Sequence, residues 1–235
     1  MHEIVERAFG EGRNLLEPEA LALLGEYGLP VPRHEHVRTP QAALAAARRI
    51  GYPVVLKVVS RDIVHKSEVG GVRIGVAGDD ALKGAWEEIS RSVEAAGGRT
   101  AGTGSSLEGF LVCEQASAGV ECIIGSVKDP QFGPAVMFGL GGIFVELIKD
   151  AAFRVLPITR QDANELIRET KSYKVLCGMR GQKRKDIEAA VDCLMNTAAL
   201  VRDNPVIAEI DINPLVVFER GAMVLDARVL LQIEG

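Results

Sequence analysis

Glu209-Ile210-Asp211-Ile212-Asn213-Pro214 is the stretch on which the reading turns. Isoleucines alternate there with side chains that carry oxygen. Successive side chains of a β-strand point to opposite faces, so an extended run turns Ile210 and Ile212 to a core and Glu209, Asp211 and Asn213 the other way. Oxygen ligands gathered on one face suit Mg²⁺, which takes carboxylates, carbonyls and substrate phosphates. Met223–Leu231, MVLDARVLL, is the next strand candidate, and an antiparallel return brings Asp226 beside Asn213. A sheet with one solvated face has the same alternation, so the pattern alone leaves both readings open.

Upstream of this stretch, helical and strand patterns alternate, which gives an α/β or α+β chain. A helix runs from Pro18 to Tyr27, opened by a proline and closed by Gly28. Thr39-Pro40 starts an alanine-rich helix that stops at Gly51. Pro53–Val59, PVVLKVV, is a buried strand interrupted by Lys57, and Val69–Val76 is a second strand opened by Gly70-Gly71. Asp79–Ala96 places Leu82, Trp86, Ile89 and Val93 at helical spacing, as core. Gly97–Ser106, GGRTAGTGSS, has the small polar composition of a linker.

Strands are expected at Phe110–Glu114, Val120–Val127, Ala135–Phe138, Phe144–Ile148 and Phe153–Ile158. Helices follow over roughly 160–171 and 184–203, then strands at Val206–Ile212, Leu215–Phe218 and Met223–Leu231. The chain therefore reads as an N-terminal arm (1–17), a smaller lid lobe (18–108) and a larger mixed-sheet lobe (109–235).

Composition narrows the partners. The formal net charge is −5, which gives no basic excess for nucleic acid or an anionic membrane. A bound polyanion needs a local cationic pocket instead. No apolar run approaches the roughly 20 residues of a membrane span. The polar start MHEIVERAFGEGRN is not a secretory signal. A cytoplasmic protein is expected, with the cysteines at 113, 122, 177 and 193 as reduced thiols lacking metal-site spacing.

Several further residues could carry chemistry. Lys57 within an apolar strand faces a cleft or an anion, or else snorkels from an edge strand. Residues 63–74, IVHKSEVGGVRI, run a charged segment into two glycines that let backbone amides approach a phosphate. His65 beside them is a nucleophile near neutral pH. A hairpin with a solvated tip reads equally well, and the segment is not a Walker A loop. Glu114 and Glu121 bracket a short turn, EQASAGVE, where an acid suits ribose hydroxyls and the backbone can meet a purine edge; surface acids at strand ends are the alternative. Arg154 in DAAFRVLP can hold a phosphate through two parallel bonds or form a surface salt bridge.

Taken together, EYGLPVP, GYPVVLKVVS, DIVHKSEVGGV, GVECIIGSVKDPQFGPAVMFGLGGIFVE, FRVLPI and EIDINPLVV with DARV resemble the β subunit of ADP-forming acetyl-CoA synthetases, relatives of succinyl-CoA synthetase. The resemblance spans about residues 15 to 230. It implies an ATP-grasp fold of two lobes that binds ATP or ADP with Mg²⁺. Lys57 is then the lysine contacting adenine and the α-phosphate. Val69, Gly70 and Gly71 belong to the loop over the phosphates. Glu114, Gln115 and Ala116 form the hinge reading adenine, and Glu121 is the ribose acid. Asn213 and Asp226 resemble the Mg²⁺ ligands, and Asp211 supports them. Arg154 contacts the transferred phosphate, and His65 matches a proposed second phosphoryl relay that succinyl-CoA synthetases lack.

The implied reaction couples acid, CoA and ATP to acyl-CoA, ADP and phosphate, reversibly, through a phosphohistidine on a CoA-binding α subunit in an α₂β₂ heterotetramer. The dinucleotide-type CoA-binding domain of that α half is absent from these residues, which reads as a separate β subunit. A carboxylate–amine ligase of the ATP-grasp group and a non-catalytic nucleotide sensor are the competing readings. Transfer of phosphoryl label to a partner separates the three.

Overall fold

In a computed structural model of the chain, the structure describes residues 1–61, 63, 66–95, 107–141, 150–179, 181 and 183–233. His65, the linker at 97–106 and the strand expected at Phe144–Ile148 lie outside the described residues. The chain divides into two compact units, Pro32–Ala116 and Met1–Val31 with Ser117–Gly235.

The unit Pro32–Ala116 holds β1 (His34–Val37), α1 (Pro40–Ile50), β2 (Val54–Ser60), β3 (Val72–Val76), α2 (Asp79–Ala95) and β4 (Leu107–Glu114). Its sheet runs β1-β4-β2-β3 with every pairing antiparallel. Thr39 caps α1 by accepting the Ala42 amide, and Gly51 ends it at φ 97°, a backbone angle that only glycine adopts without strain. Val54, Leu56 and Val58 point to a core shared with Ala43, Leu82 and Ile89 from the two helices. Trp86 stacks on Phe110 with ring centroids 3.9 Å apart, as the helical spacing predicts. The lobe boundary expected at residue 108 falls inside β4, which pairs with both β1 and β2, and the unit continues to Ala116.

The second unit begins with α3 (Glu3–Gly10) and α4 (Glu17–Glu26) and resumes with β5 (Val120–Asp129), β6 (Gly133–Leu140) and β7 (Ala151–Val155). Helices α5 (Arg160–Glu169), α6 (Ser172–Leu176) and α7 (Ile187–Asp203) follow, then β8 (Ile207–Val217), β9 (Ala222–Val224) and β10 (Ala227–Leu231). The sheet path is β10-β8-β5-β6-β7, with β9 paired to β8. Every described pairing is antiparallel: β5, β6 and β7 pair as consecutive strands, and β8 returns on the other side of β5.

Helix α7 packs on β5, β6 and β8, and α5 packs on β6 and β7. Val191, Leu194 and Leu200 of α7 are fully buried, as are Ile124, Phe138 and Ile212 of the sheet. Each such side chain contributes about 1.5–3 kcal/mol by leaving water. One face of this sheet is thereby committed to the core, which leaves the other face for chemistry.

Candidate nucleotide and metal site

The acidic stretch behaves as its alternation predicts. Ile210 and Ile212 are buried, while Glu209, Asp211 and Asn213 are partly exposed. The return strand arrives antiparallel, with Ala227 opposite Ile212 and Arg228 opposite Asp211. The Asn213 amide donates to the Asp226 carbonyl at 3.2 Å, and the Leu225 amide donates to the Pro214 carbonyl at 2.9 Å. Asp226 therefore lies beside Asn213 at the start of β10.

Between β5 and β8 the register slips, so that Ile212 pairs with Ile124 and Leu215 with Cys122. Asn213 and Pro214 together face Ile123, which is a β-bulge, a device common next to active sites. Val206–Ile212 and Leu215–Phe218, expected as two strands, are thus one strand with a bulge at the Asn-Pro step.

Three acids crowd this face. Burial pushes the Asp211 carboxyl above its ordinary range, and the charges of Glu209 and Asp226 push it further, against a smaller opposing effect of Arg228. Its Oδ1 is buried with no hydrogen-bond partner among the described residues. Asp226 Oδ1 accepts the Ala227 amide at 2.9 Å. An orphaned buried carboxylate oxygen among like charges fits a cation, and oxygen donors fit a hard one such as Mg²⁺. Among the described residues no three His, Cys, Asp or Glu form a closed metal cage; Mg²⁺ usually takes one or two carboxylates and fills its remaining positions with water and substrate phosphates.

Arg154 is placed differently from expectation. Directly opposed residues in paired strands share a face. Arg154 opposes Val136, Val136 opposes Ser126, and Ser126 opposes Ile210. Arg154 thus belongs to the helix-covered face, where its guanidinium pairs with Glu169 of α5 at 2.5 and 3.1 Å. Asp211 opposes Gly125, which opposes Met137, which opposes Phe153, so the acids project from the other face. One residue separates the two assignments, because in a strand a shift of one reverses the side.

Arg228 is the cation that the sequence reading passed over. It is exposed, stands directly across from Asp211, and makes no hydrogen bond or ion pair with the described residues. Its signal was its spacing, two residues after Asp226 and hence on the same face as Asp226. Glu121 also falls on this open face, one step of alternation from Ile123 and two from Gly125, and it is exposed.

In the unit Pro32–Ala116, Lys57 pairs with Leu111 and Val72 and points away from the core of α1 and α2, with 7% of its surface exposed. Gly70 and Gly71 are tied into their own turn. Gly70 takes φ 68° and its amide donates to Ser67; the Gly71 amide donates to the Lys66 carbonyl at 2.7 Å. A Cβ on Gly71 would lie 2.6 Å from Val58 Cγ1. Both amides are thus used inside the turn, and glycine is required there by backbone angle and close packing. Val69 is partly exposed beside them.

At the hinge, the Arg33 guanidinium holds Glu114 through two hydrogen bonds of 3.0 and 3.2 Å, which keeps that carboxyl below its ordinary range. The Gln115 side chain accepts the Gly75 amide at 2.7 Å. Both side chains are engaged, so Gln115 and the partly exposed Ala116 offer a purine their main chain. The cysteines take no part: Cys113, Cys122 and Cys193 are buried, and burial pushes the Cys122 and Cys193 thiols up to about 12.

Comparison with known proteins gives the chain's family. The model of the ATP-grasp domain matches residues 7–231. The chain is similar to subunit β of the ADP-forming acetate–CoA ligase I of Pyrococcus furiosus, 45% identical over 97% of each chain. It is equally similar, at 45% over 97% of its length, to the ADP-forming acetate–CoA ligase I of Archaeoglobus fulgidus, of which it spans 33%. Among solved structures it superposes with TM-score 0.84 and 42% identity, over 97% of this chain and 98% of the other, on an acetyl-coenzyme A synthetase 1 of Candidatus Korarchaeum cryptofilum. That protein was solved with coenzyme A and Mg-AMPPCP, its phosphohistidine segment pointing towards the nucleotide binding site.

Proposed function

The chain belongs to the ATP-grasp family of ADP-forming acetyl-CoA synthetase β subunits, and from that membership we propose how its own residues work. It is the nucleotide-binding part of an acid–thiol ligase that couples acid, CoA and ATP to acyl-CoA, ADP and phosphate. The substrates are ATP or ADP, with Mg²⁺ as the metal. The partner is a CoA-binding α subunit whose phosphohistidine exchanges a phosphoryl group with the nucleotide; we take the assembly as α₂β₂ and cytoplasmic. Among the described residues no helix is long and apolar enough to cross a membrane.

The observation that carries the reading is the pairing of Asn213 with Asp226 on the open acidic face. Asn213, Asp226 and Asp211 hold Mg²⁺, which neutralises charge on the phosphate oxygens during transfer. Lys57 supplies a fixed ammonium for the α-phosphate, and the main chain of Glu114–Ala116 reads adenine while Glu121 binds ribose. Val69, Gly70 and Gly71 shape the turn over the phosphates. Arg228, on the metal-bearing face, takes the role of the cation at the transferred phosphate that was first assigned to Arg154. His65 acts as a second phosphoryl acceptor. Catalysis of this kind is positioning and charge stabilisation. The test is nucleotide affinity with and without Mg²⁺ in Asp226→Ala and Lys57→Ala variants: each weakens binding, and only the first abolishes the Mg²⁺ dependence. Unchanged Mg²⁺ dependence in Asp226→Ala would sink the metal assignment.

A further inference from the structure

A cavity lies on the covered side of the β5–β8 sheet. Its volume is about 510 Å³, within the roughly 300–1,000 Å³ of small-molecule sites. Met195, Ala198 and Val201 of α7 form one wall, and Leu156, Pro157 and Ile207 form the other. Lys128 opposes Pro134 and is two residues from Ser126, which shares its face with Ile210. The cavity is therefore separated by the thickness of the sheet from Asp211.

Two cations mark the rim of this apolar space, Lys128 and Arg202. Arg202 is paired with Asp203 at 2.8 Å. Lys128 is not ion-paired among the described residues: Nζ donates to the Pro205 carbonyl at 3.2 Å and to Gln232 Oε1 at 3.1 Å. Both acceptors are neutral, so they use two of the ammonium's three donors and leave the third for a ligand. An apolar chamber with a cation at its mouth that forms no ion pair among the described residues suits a ligand with an apolar body and an anionic end.

We propose that this cavity binds small apolar carboxylates, independently of the nucleotide site. The carboxylate meets Lys128 and the hydrocarbon body fills the space against α7.

The test titrates the full chain with phenylacetate by ligand-observed NMR, with phenylacetamide as the uncharged isostere. The wild type saturates with phenylacetate and binds phenylacetamide about ten-fold more weakly, the effect of losing one charge-assisted bond. Lys128→Gln weakens phenylacetate about ten-fold and removes the preference over the amide. Ala198→Trp fills the chamber and abolishes binding of both. Ala199→Phe, at a partly exposed position of the same wall, does so in case the tryptophan disturbs folding, and thermal melts check each variant. Asp226→Ala leaves the affinity unchanged. Absence of saturation, equal affinity for acid and amide, or binding insensitive to Lys128→Gln and to the filled variants overturns the proposal.

Discussion

The main-chain amide of Asn213 donates to the carbonyl of Asp226 at 3.2 Å. This bond joins β8 to the start of β10 and puts two of the proposed metal-binding side chains next to each other. Because the junction is made by backbone, truncating either side chain leaves it intact. Asn213→Ala and Asp226→Ala are therefore expected to melt near the wild type. They slow phosphoryl transfer on the order of 10²–10³-fold, comparable with losing one preorganised charge-stabilising group. Initial rates at saturating ATP across a Mg²⁺ titration check this, and a wild-type rate in either variant contradicts it.

The two arginines separate by face. Arg154 shares the helix-covered side with Val136 and pairs with Glu169, whereas Arg228 stands across from Asp211. Arg154→Ala should leave the transfer rate within about two-fold and cost no more than about 1 kcal/mol of stability, as for a largely exposed ion pair. Arg228→Ala should lower kcat on the order of 10²-fold, with partial recovery in Arg228→Lys. The opposite ranking in single-turnover rates would return the phosphate role to Arg154.

Asp211 is crowded by Glu209 and Asp226 and has an oxygen without a partner among the described residues. In Mg²⁺-free buffer, Asp211→Asn removes one of three like charges and is expected to raise the melting temperature, by an amount equivalent to about 1 kcal/mol. Saturating Mg-nucleotide should shrink or reverse that gain, because the cation compensates the wild type. Calorimetry with and without Mg-ADP reads both effects. A variant less stable than wild type in metal-free buffer would contradict the crowding argument.

A pH effect on stability arises at the start of α4, the helix that packs on β10. Arg13 grips both carboxylate oxygens of Glu19 at 2.6 and 2.8 Å, and the Leu16 amide adds a third bond at 3.0 Å. Burial pushes Glu19 up, but the bonds from Arg13 and Leu16 outweigh it and hold the carboxyl below its ordinary value. The folded pKa is thus lower than the unfolded one. The stabilisation is full above the unfolded value near 4.5 and is lost as pH falls through the folded value. Glu19→Gln should cost roughly 2 kcal/mol at pH 7, and its difference from wild type should narrow below about pH 4.5. Urea unfolding at several pH values tests this; a difference that stays constant into acid would remove Glu19 as the cause.

Much of the fold is legible in the sequence because local rules decide it. Thr39-Pro40 and Gly51 mark a helix that the structure bounds at Pro40–Ile50, and the alternation at 209–213 states which side is core. What depends on pairing was not legible. The antiparallel order of the second sheet follows from which strands meet, and the bulge at Asn213-Pro214 only appears against Ile123 of β5. The choice between a phosphate contact and a salt bridge for Arg154 turns on its face, which is fixed by three successive registers, β7 to β6 to β5 to β8, none of which local sequence encodes. Glycine at 70 and 71 signals close approach without saying to what, and the close neighbours within the structure are Ser92 and Val58. Arg228 could have been found by counting alternate residues from Asp226.

The proposed function has this chain pass a phosphoryl group between nucleotide and a partner through the Asn213–Asp226 face. The most direct measurement is transfer of label from γ-labelled ATP with Mg²⁺, on this chain alone and with the proposed CoA-binding partner. Acid-labile, base-stable label is expected on the partner, and it should be lost with Asp226→Ala. Label on this chain that vanishes in His65→Ala would add the second relay. Tight ATP binding with no label transferred in any mixture would contradict the account and leave a nucleotide sensor in its place.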